Sequence, residues 1–142
     1  MCLALGMLEF ANHILAVAYE NNLSVSNLQL QKVMYFAMRD QKDNYKLLAK
    51  MYDEPFYVWR YGPTVPSIHR KYKGYGSRAI IDSGEKDDTL NIFNSSILLF
   101  LEKEPFSLVE ESHRHSFWEL NEDKIHRGTS DVKYSLEDIL KC

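Results

Sequence analysis

One stretch of the sequence reads Phe56-Tyr57-Val58-Trp59-Arg60-Tyr61-Gly62-Pro63-Thr64-Val65-Pro66-Ser67-Ile68-His69-Arg70-Lys71-Tyr72-Lys73-Gly74-Tyr75-Gly76. It has the densest aromatic content in the chain, and residues 56–61 alternate with the two-residue period of a β-strand. Gly62-Pro63 breaks the alternation, because proline disfavours helical geometry in the residue before it, and Pro66 suits the first turn of a helix. The stretch therefore predicts a strand that ends at Gly62-Pro63, a sharp turn, and a short helix that Gly74 and Gly76 terminate.

The charge pattern singles out the same stretch. No Asp or Glu occurs between Pro55 and Ile81, whereas five basic residues do: Arg60, Arg70, Lys71, Lys73 and Arg78. The chain carries 17 basic and 20 acidic residues, so the remainder is strongly acidic. A basic, aromatic patch on an acidic chain favours a contact surface. The alternative is that the aromatic side chains fill the core and the cations are simply solvated.

Four residues of this stretch are predicted to bind a partner and to be exposed at least in part: Tyr61, Arg70, Tyr72 and Lys73. Tyrosine and arginine are among the residues that most often dominate protein interfaces. Trp59 is either part of the same surface or an anchor of the core. The proline at position 63 fixes its own backbone torsion, so we expect the surface to be rigid.

Size and composition indicate an ordinary globular protein. At 142 residues with 45% apolar content, we expect one compact domain over residues 1–142. The apolar runs are too short for a membrane span, and the N-terminus lacks the basic segment of a signal peptide. We therefore expect a cytoplasmic protein without a membrane partner. Cys2 and Cys142 are interpreted as free thiols in a reducing compartment.

Helical spacing predicts most of the remaining structure. Ser26 and Gln29 form a capping box ahead of a helix over residues 27–42, and Ser107 with Glu110 forms a second box. The other predicted segments are a first helix over 7–21, a short strand over 79–81, a helix over 90–103, a helix from 105 towards 115, and a capped turn over 134–140. We expect a mainly α fold, α+β at most: a single compact domain of five or six helices with a small β element.

The residues that usually carry catalysis form no recognisable set. His113 and His115 are the one close histidine pair, and side chains two positions apart on a helix diverge, so we expect no metal site. Gly74-x-Gly76 lacks the rest of a phosphate-binding loop. We expect no enzymatic activity and no cofactor, and we interpret His113 as a packed, hydrogen-bonded histidine near Trp118.

Four segments resemble the motifs of a known family. Residues 28–36 resemble a helix of the type LxLQKLLYY, residues 56–66 resemble FeAWkYGPVVP, residues 72–76 resemble YkxYG, and His113 with Trp118 resembles H-x4-W. In this order, over about residues 11–140, they resemble the Panacea antitoxin domain family of SocA-like and GepA-like phage-associated proteins. The residues at the motif positions are Gln31, Lys32, Tyr35, Trp59, Gly62, Pro63, Pro66, His113 and Trp118. The chain departs from the pattern at Val58, Thr64 and Phe117, which affects packing more than chemistry.

The resemblance implies a mostly helical domain that binds a cognate toxin and neutralises it, and some members of the family deliver the toxin to a protease. An alternative class is a phage or mobile-element regulator that binds nucleic acid through the five cations or inhibits a host defence protein. A net charge of −3 makes nucleic acid the less favoured partner. A phosphate-driven complex would weaken steeply with salt, and a complex built on buried aromatic side chains would not.

Overall fold

The computed structural model describes residues 5–141, so Cys2 and Cys142 lie outside the described residues. Within that range the chain forms eight α-helices and one two-stranded antiparallel sheet. In chain order the elements are α1 (Met7–Glu20), α2 (Asn27–Asp40), α3 (Tyr45–Met51), β1 (Tyr57–Trp59), β2 (Gly62–Thr64), α4 (Pro66–Tyr72), α5 (Asn94–Leu101), α6 (Pro105–His113), α7 (Ser116–Asn121) and α8 (Leu136–Leu140). Short 3-10 helices lie at Lys42–Asn44, Lys73–Tyr75, Asp88–Phe93 and Glu122–Lys124.

The predicted fold class, mainly α with a small β element, is confirmed. The helices outnumber the expected five or six because α3, α7 and α8 are short, with 7, 6 and 5 residues. Such short helices have too few turns to show a helical period of hydrophobic residues, so they are hard to predict from the sequence. None of the helices in residues 5–141 has the length and apolar character needed to cross a membrane.

Helix α2 lies at the centre of the fold. Its predicted capping box is present: the Ser26 hydroxyl accepts from the Gln29 N–H at 3.2 Å, and the Gln29 side chain accepts from the Ser26 N–H at 3.0 Å. Every residue from Leu30 to Met38 is buried, because α1, α5, α6, α8 and β2 surround the helix. The polar side chains of this helix are therefore buried along with its apolar ones, and they must find partners inside the protein.

Strands β1 and β2 form a hairpin, which corrects the predicted turn. The chain turns at Arg60-Tyr61, and Gly62-Pro63 begins the second strand instead of breaking the first, with Trp59 opposite Gly62 and Val58 opposite Pro63. Alternate residues of an antiparallel pair point their N–H groups away from the partner strand, so Pro63 sacrifices no ladder hydrogen bond. The Val58 N–H accordingly donates outward, to the Val132 carbonyl at 2.9 Å.

Two further predictions of local structure were wrong. Residues 79–81 form only an isolated bridge between Ala79 and Ser26, with no strand beyond it. The predicted second capping box is absent, because the Glu104 carboxylate accepts from the Ser107 N–H at 3.1 Å and caps α6 itself. Pro105 explains the shift: it occupies the first helical position and keeps Glu104 extended, which makes Glu104 the N-cap.

Candidate binding site at the β1–β2 hairpin

Gln31 of α2 holds the end of strand β2 in place. Its side-chain amide donates to the Val65 carbonyl at 3.2 Å and accepts from the Val65 N–H at 2.8 Å. Val65 is buried at the N-cap of α4, where its carbonyl accepts from the His69 N–H at 3.0 Å but its own N–H has no partner in the strand or the helix. A single buried amide therefore pairs the Val65 N–H, adds a second hydrogen bond to the Val65 carbonyl and fixes the junction between the hairpin and α4.

Lys32 is fully buried and reaches the same hairpin from α2. Its ammonium donates to the Pro63 carbonyl at 2.6 Å. Among residues 5–141 the one ion pair joins Lys86 to Glu20, so no described carboxylate pairs with Lys32. Burial lowers the pKa of Lys32 to about 7, because a low-dielectric interior disfavours the charged form.

Gly62 is the residue that makes room for Lys32. Its φ of 97° is a conformation that other residues rarely adopt. A Cβ atom built on it would lie 2.5 Å from the Ser112 hydroxyl and 3.1 Å from the Lys32 Cε. The glycine at this position therefore serves both the backbone conformation and the close approach of α2 and α6 to the hairpin.

His113 and Trp118 hold the hairpin turn from the opposite side. Their rings are stacked with centroids 3.7 Å apart and planes 16° from parallel. The His113 Nε2 donates to the Arg60 carbonyl at 2.8 Å, and the Trp118 indole N–H donates to the Trp59 carbonyl at 2.9 Å. The pKa of His113 is lowered, chiefly by burial, so the ring stays neutral near pH 7 and Nε2 carries its one proton.

The C-terminal segment completes this support. The Ser130 hydroxyl donates to the Val58 carbonyl at 2.6 Å, and the Arg60 N–H donates to the Gly128 carbonyl at 2.9 Å. Side chains from α2, α6 and α7 and the segment around residue 130 thus bind the main chain of one hairpin. A hairpin held in this way cannot change shape without losing several buried hydrogen bonds.

Tyr35 is a core residue whose link to the hairpin is indirect. Its ring packs edge-on against Phe56, just before β1, with centroids 5.6 Å apart. Its hydroxyl forms a hydrogen bond with the His115 Nδ1 at 2.6 Å, and burial raises the pKa of Tyr35 to about 12. Burial first, and then the nearby cations Arg39 and Arg114, lower the pKa of His115 to about 4, which keeps the ring neutral near pH 7.

A cleft opens beside the hairpin, between the start of α2, the hairpin, α4 and the start of α6. Its volume is about 290 Å³. The lining residues are mostly aromatic, aliphatic or neutral polar: Asn27, Leu28, Gln31, Trp59, Tyr61, Thr64, His69, Phe106 and Gly128. We refer to these nine residues as the hairpin cleft. Trp59 is half-buried in its wall, where it packs edge-on against His69.

The structure separates the four predicted contact residues. Tyr61 is 50% exposed, and Arg70 and Lys73 are exposed, which leaves all three accessible to a partner. The expectation that Tyr72 is exposed was wrong, because Tyr72 is 3% exposed. It lies one turn after Ile68 on the face of α4 that packs into the core, and α4 ends there.

Phe106 is an exposed aromatic residue beside the hairpin that sequence reasoning missed. It is 53% exposed at the start of α6 and packs edge-on against Tyr61, with ring centroids 6.2 Å apart. The sequence did contain an indication that Phe106 is exposed. It directly follows Pro105, in the first turn of a helix whose buried face begins at Leu108. Its proximity to Tyr61 depends on tertiary structure, which helical spacing alone does not reveal.

The described residues contain no cluster of three or more His, Cys, Asp or Glu side chains that could hold a metal.

Comparison with known proteins gives one informative result. The chain is similar to Antitoxin SocA of Caulobacter vibrioides. The two are 34% identical over 82 residues, a match that covers 57% of this chain and 42% of SocA. No family model matches the chain, and no solved structure matches it.

Proposed function

We propose that this chain is an antitoxin-type protein that binds a partner toxin directly and neutralises it through the surface around the β1–β2 hairpin. The observation that carries the proposal is a hairpin whose main chain is fixed from both sides and whose turn displays the exposed Tyr61. Similarity to a protein named Antitoxin SocA supports the choice of a toxin as the partner. The motifs that resemble the Panacea domain coincide with residues that hold the hairpin: Gln31, Lys32, Gly62, His113 and Trp118.

Rigidity favours binding because an ordered surface loses little conformational entropy when a partner docks. The hydrogen bonds from Gln31, Lys32, His113 and Trp118 fix the hairpin before any partner arrives. Exposed aromatic residues on such a support are the usual anchors of protein interfaces. We therefore assign Tyr61 and Phe106 to the contact surface, together with the exposed cations Arg70 and Lys73, whose charges act on His69 in the wall of the hairpin cleft.

The charges indicate an acidic partner surface. Residues 56–80 contain five cations and no acidic residue, while the remainder of the chain is acidic. Complementary charge raises the association rate more than the affinity, so the cations steer the partner and the aromatic residues retain it. An antitoxin must meet its toxin in the compartment where the toxin acts. We therefore propose that this chain acts in the cytoplasm. Delivery of the bound toxin to a protease would use a surface outside the hairpin.

The test is the double substitution Arg70→Glu with Lys73→Glu, expressed in a cell that also expresses the reading frame next to this gene. Both side chains are exposed, so the variant should stay folded by circular dichroism. We expect the wild type to protect the cell from growth arrest and the variant to fail, because reversed charge repels an acidic partner surface.

The matched control is Lys46→Glu with Lys50→Glu, which makes the same change of net charge on the exposed face of α3. It should protect as well as the wild type. Equal protection by the Arg70 and Lys73 variant would contradict the proposed surface. A neighbouring reading frame that causes no growth arrest, alone or with its own partners, would contradict the antitoxin assignment itself.

A further inference from the structure

We infer that residues 81–87 form a strap that the neutral side chain of His13 holds closed against helix α1, and that a proton on His13 releases. The segment has neither helix nor strand, and none of its residues lines the hairpin cleft. Its opening is therefore a property of the fold beyond the proposed toxin binding, and it does not depend on the identity of any partner.

The strap lies directly on the backbone of α1. The Glu85 N–H donates to the Asn12 carbonyl at 3.1 Å. Gly84, with a φ of 65°, approaches α1 so closely that a Cβ atom there would overlap the Asn12 carbonyl oxygen and lie 2.8 Å from the Ala16 nitrogen. Leu15 and Ala16, which lie against Gly84, are both buried. A strap that opens would therefore uncover this part of α1.

His13 is 0% exposed, and both of its ring nitrogens are hydrogen-bonded. Its Nδ1 accepts from the Asp87 N–H at 3.1 Å, and its Nε2 lies 2.7 Å from the Asn94 Oδ1. A backbone N–H can only donate, so Nδ1 must offer a lone pair and the single proton of the neutral ring must be on Nε2. The Asn94 amide is turned to accept that proton, because its nitrogen donates to the Asn91 Oδ1 at 3.2 Å. The closed strap thus requires neutral His13 in one tautomer.

A second proton on His13 is incompatible with the closed strap. It would point an Nδ1–H at the Asp87 N–H, so that two donors would face each other in place of a hydrogen bond. It would also bury a positive charge with no carboxylate bonded to it, since the Asp87 carboxylate accepts from the Thr89 N–H. Protonation is relieved when the strap lifts and water reaches the ring.

The pKa of His13 agrees with this geometry. It is lowered from the ordinary value of 6.5, with burial as the largest cause; Asn94 opposes burial, Lys86 adds to it, and Asp87 and Glu20 oppose it. A histidine whose folded pKa is lowered stabilises the closed form above the ordinary value, and this contribution is lost as the pH falls through the lowered pKa. The strap should therefore open on the acid side of pH 6.5.

Few charged groups lie close to the His13 ring, and they come from α1 and the strap, since α5 presents the neutral Asn94. They are Glu9, Glu20, Glu85, Lys86 and Asp87. Lys86 pairs with Glu20 at 3.1 Å, but both side chains are largely exposed, so the pair contributes little to closure. Two main-chain hydrogen bonds therefore hold the strap, and one of them depends on the protonation of His13.

The experiment is a pH titration of the ¹⁵N-labelled chain by NMR, from neutral pH downwards. It follows the His13 ring nitrogens and the amide signals of Gly84, Glu85 and Asp87. At neutral pH we expect the proton on Nε2, and on acidification the ring and the strap amides should change with one midpoint below pH 6.5. Hydrogen exchange of the Asp87 amide, corrected for its intrinsic pH dependence, should rise about tenfold for each pH unit by which that midpoint lies below 6.5.

Amide signals of the buried residues 30–38 of α2 should stay unchanged through this transition. A proton on Nδ1 at neutral pH would overturn the inference. So would strap signals that change with a midpoint different from that of His13, or that change only when the α2 signals are lost as well, because acid would then unfold the whole chain without opening the strap.

Gly84→Ala tests the coupling from the other side, because its methyl group prevents closure. The His13 midpoint should rise towards the ordinary 6.5, since an open strap no longer buries the ring. Gly76→Ala is the matched control: its φ of 61° is nearly the same, but a Cβ there meets no atom within 4 Å. It should leave the His13 midpoint unchanged. An unchanged midpoint in Gly84→Ala would overturn the inference.

Two substitutions at the ring assign the transition to His13, because the pKa values of His69, His113 and His115 are lowered as well. Asn94→Asp places a carboxylate at Nε2 and should raise the midpoint of the strap signals by about one pH unit or more. His13→Asn keeps a side-chain acceptor without a titrating ring and should abolish their pH response. A strap response that persists in His13→Asn, or a midpoint that Asn94→Asp leaves in place, would overturn the inference. Either result would leave the proposed toxin binding untouched.

Discussion

At the scale of single residues, the hairpin depends on polar side chains buried at its back. Gln31 and Lys32 are adjacent in sequence and bind main-chain groups 34 and 31 residues away. The two side chains leave α2 at neighbouring positions, and they pair the Val65 N–H and the Pro63 carbonyl, which face α2 from the hairpin. This explains why polar residues occupy a helix that the rest of the core surrounds.

The titration of Lys32 predicts an unusual dependence of stability on pH. Its pKa is about 7 in the folded chain and 10.5 when exposed. Between pH 7 and pH 9 the unfolded chain therefore keeps a proton that the folded chain has released, and raising the pH stabilises the fold. We expect the free energy of unfolding to rise by about 2 kcal/mol over this window, measured by urea melts. Above pH 9 the buried tyrosines act in the opposite direction, so the window ends there.

Lys32→Met isolates this effect because methionine has a similar length and no titrating group. The rise between pH 7 and pH 9 should disappear in the variant, whatever its absolute stability. An equal rise in both proteins would show that Lys32 is already charged and solvated in the folded chain.

Sequence reasoning identified most of the important residues but not their partners. The motif positions drew attention to Gln31, Lys32, His113 and Trp118 as a set. Their acceptors are backbone carbonyls. Every residue has a carbonyl, so the sequence does not indicate which one a side chain will bind, and the hydrogen bonds that hold the hairpin could not be predicted. Tyr72 was misplaced for a related reason: its helix is amphipathic over only two turns, and aromatic content alone does not distinguish a buried tyrosine from an exposed one.

At the scale of elements, the hairpin requires glycine at position 62. Gly62→Ala would place a methyl group against the Ser112 hydroxyl and Lys32 at a φ of 97°. We expect a loss of about 1–3 kcal/mol in the free energy of unfolding, from backbone strain and overpacking together. Chemical denaturation monitored by tryptophan fluorescence measures it.

Gly74→Ala is the matched control, since a Cβ there meets no atom within 4 Å and the backbone is unstrained. It should be neutral or stabilise the protein by a few tenths of a kcal/mol, because alanine restricts the unfolded chain. Equal effects of the two substitutions would mean that the close packing around Gly62 does not constrain the hairpin.

The burial of helix α2 predicts how much stability is lost when one of its core residues is truncated. Leu30 is fully buried just after the capping box, and truncation leaves a cavity that the surrounding helices cannot close. Leu30→Ala should cost about 2–5 kcal/mol in urea melts. Leu120→Ala, at a 75% exposed position, should cost less than about 0.5 kcal/mol. A cost under about 1 kcal/mol for Leu30→Ala would mean that the core around α2 is loosely packed.

The elements show which sequence signals were reliable. The box at Ser26 and Gln29 predicted the start of α2, because local hydrogen bonds form it. The box at Ser107 and Glu110 failed, because Pro105 had already fixed the helix start one turn earlier. The hairpin turn at Arg60-Tyr61 was missed, because glycine and proline after it gave a stronger but misleading turn signal than the turn itself.

At the scale of the whole molecule, the helices form the core, and the hairpin packs on them with Tyr61 exposed at its turn. Buried residues from all eight helices and from strand β1 make one continuous apolar cluster. Mainly α content was predictable from the helical spacing and the local caps. The juxtaposition of Tyr61 with Phe106, and the cleft between them, was not, because it brings together elements about 45 residues apart in sequence.

The central claim is that a partner binds the rigid hairpin surface through its exposed aromatic residues, and calorimetric titration of the purified product of the neighbouring reading frame tests it most directly. The double variant Tyr61→Ala with Phe106→Ala is compared with Leu99→Ala and Leu120→Ala, two exposed apolar residues outside the hairpin cleft. We expect the first to weaken binding at least about 30-fold, as loss of interface anchors does, and the second to match the wild type. Wild-type affinity in the Tyr61 and Phe106 variant would contradict the account.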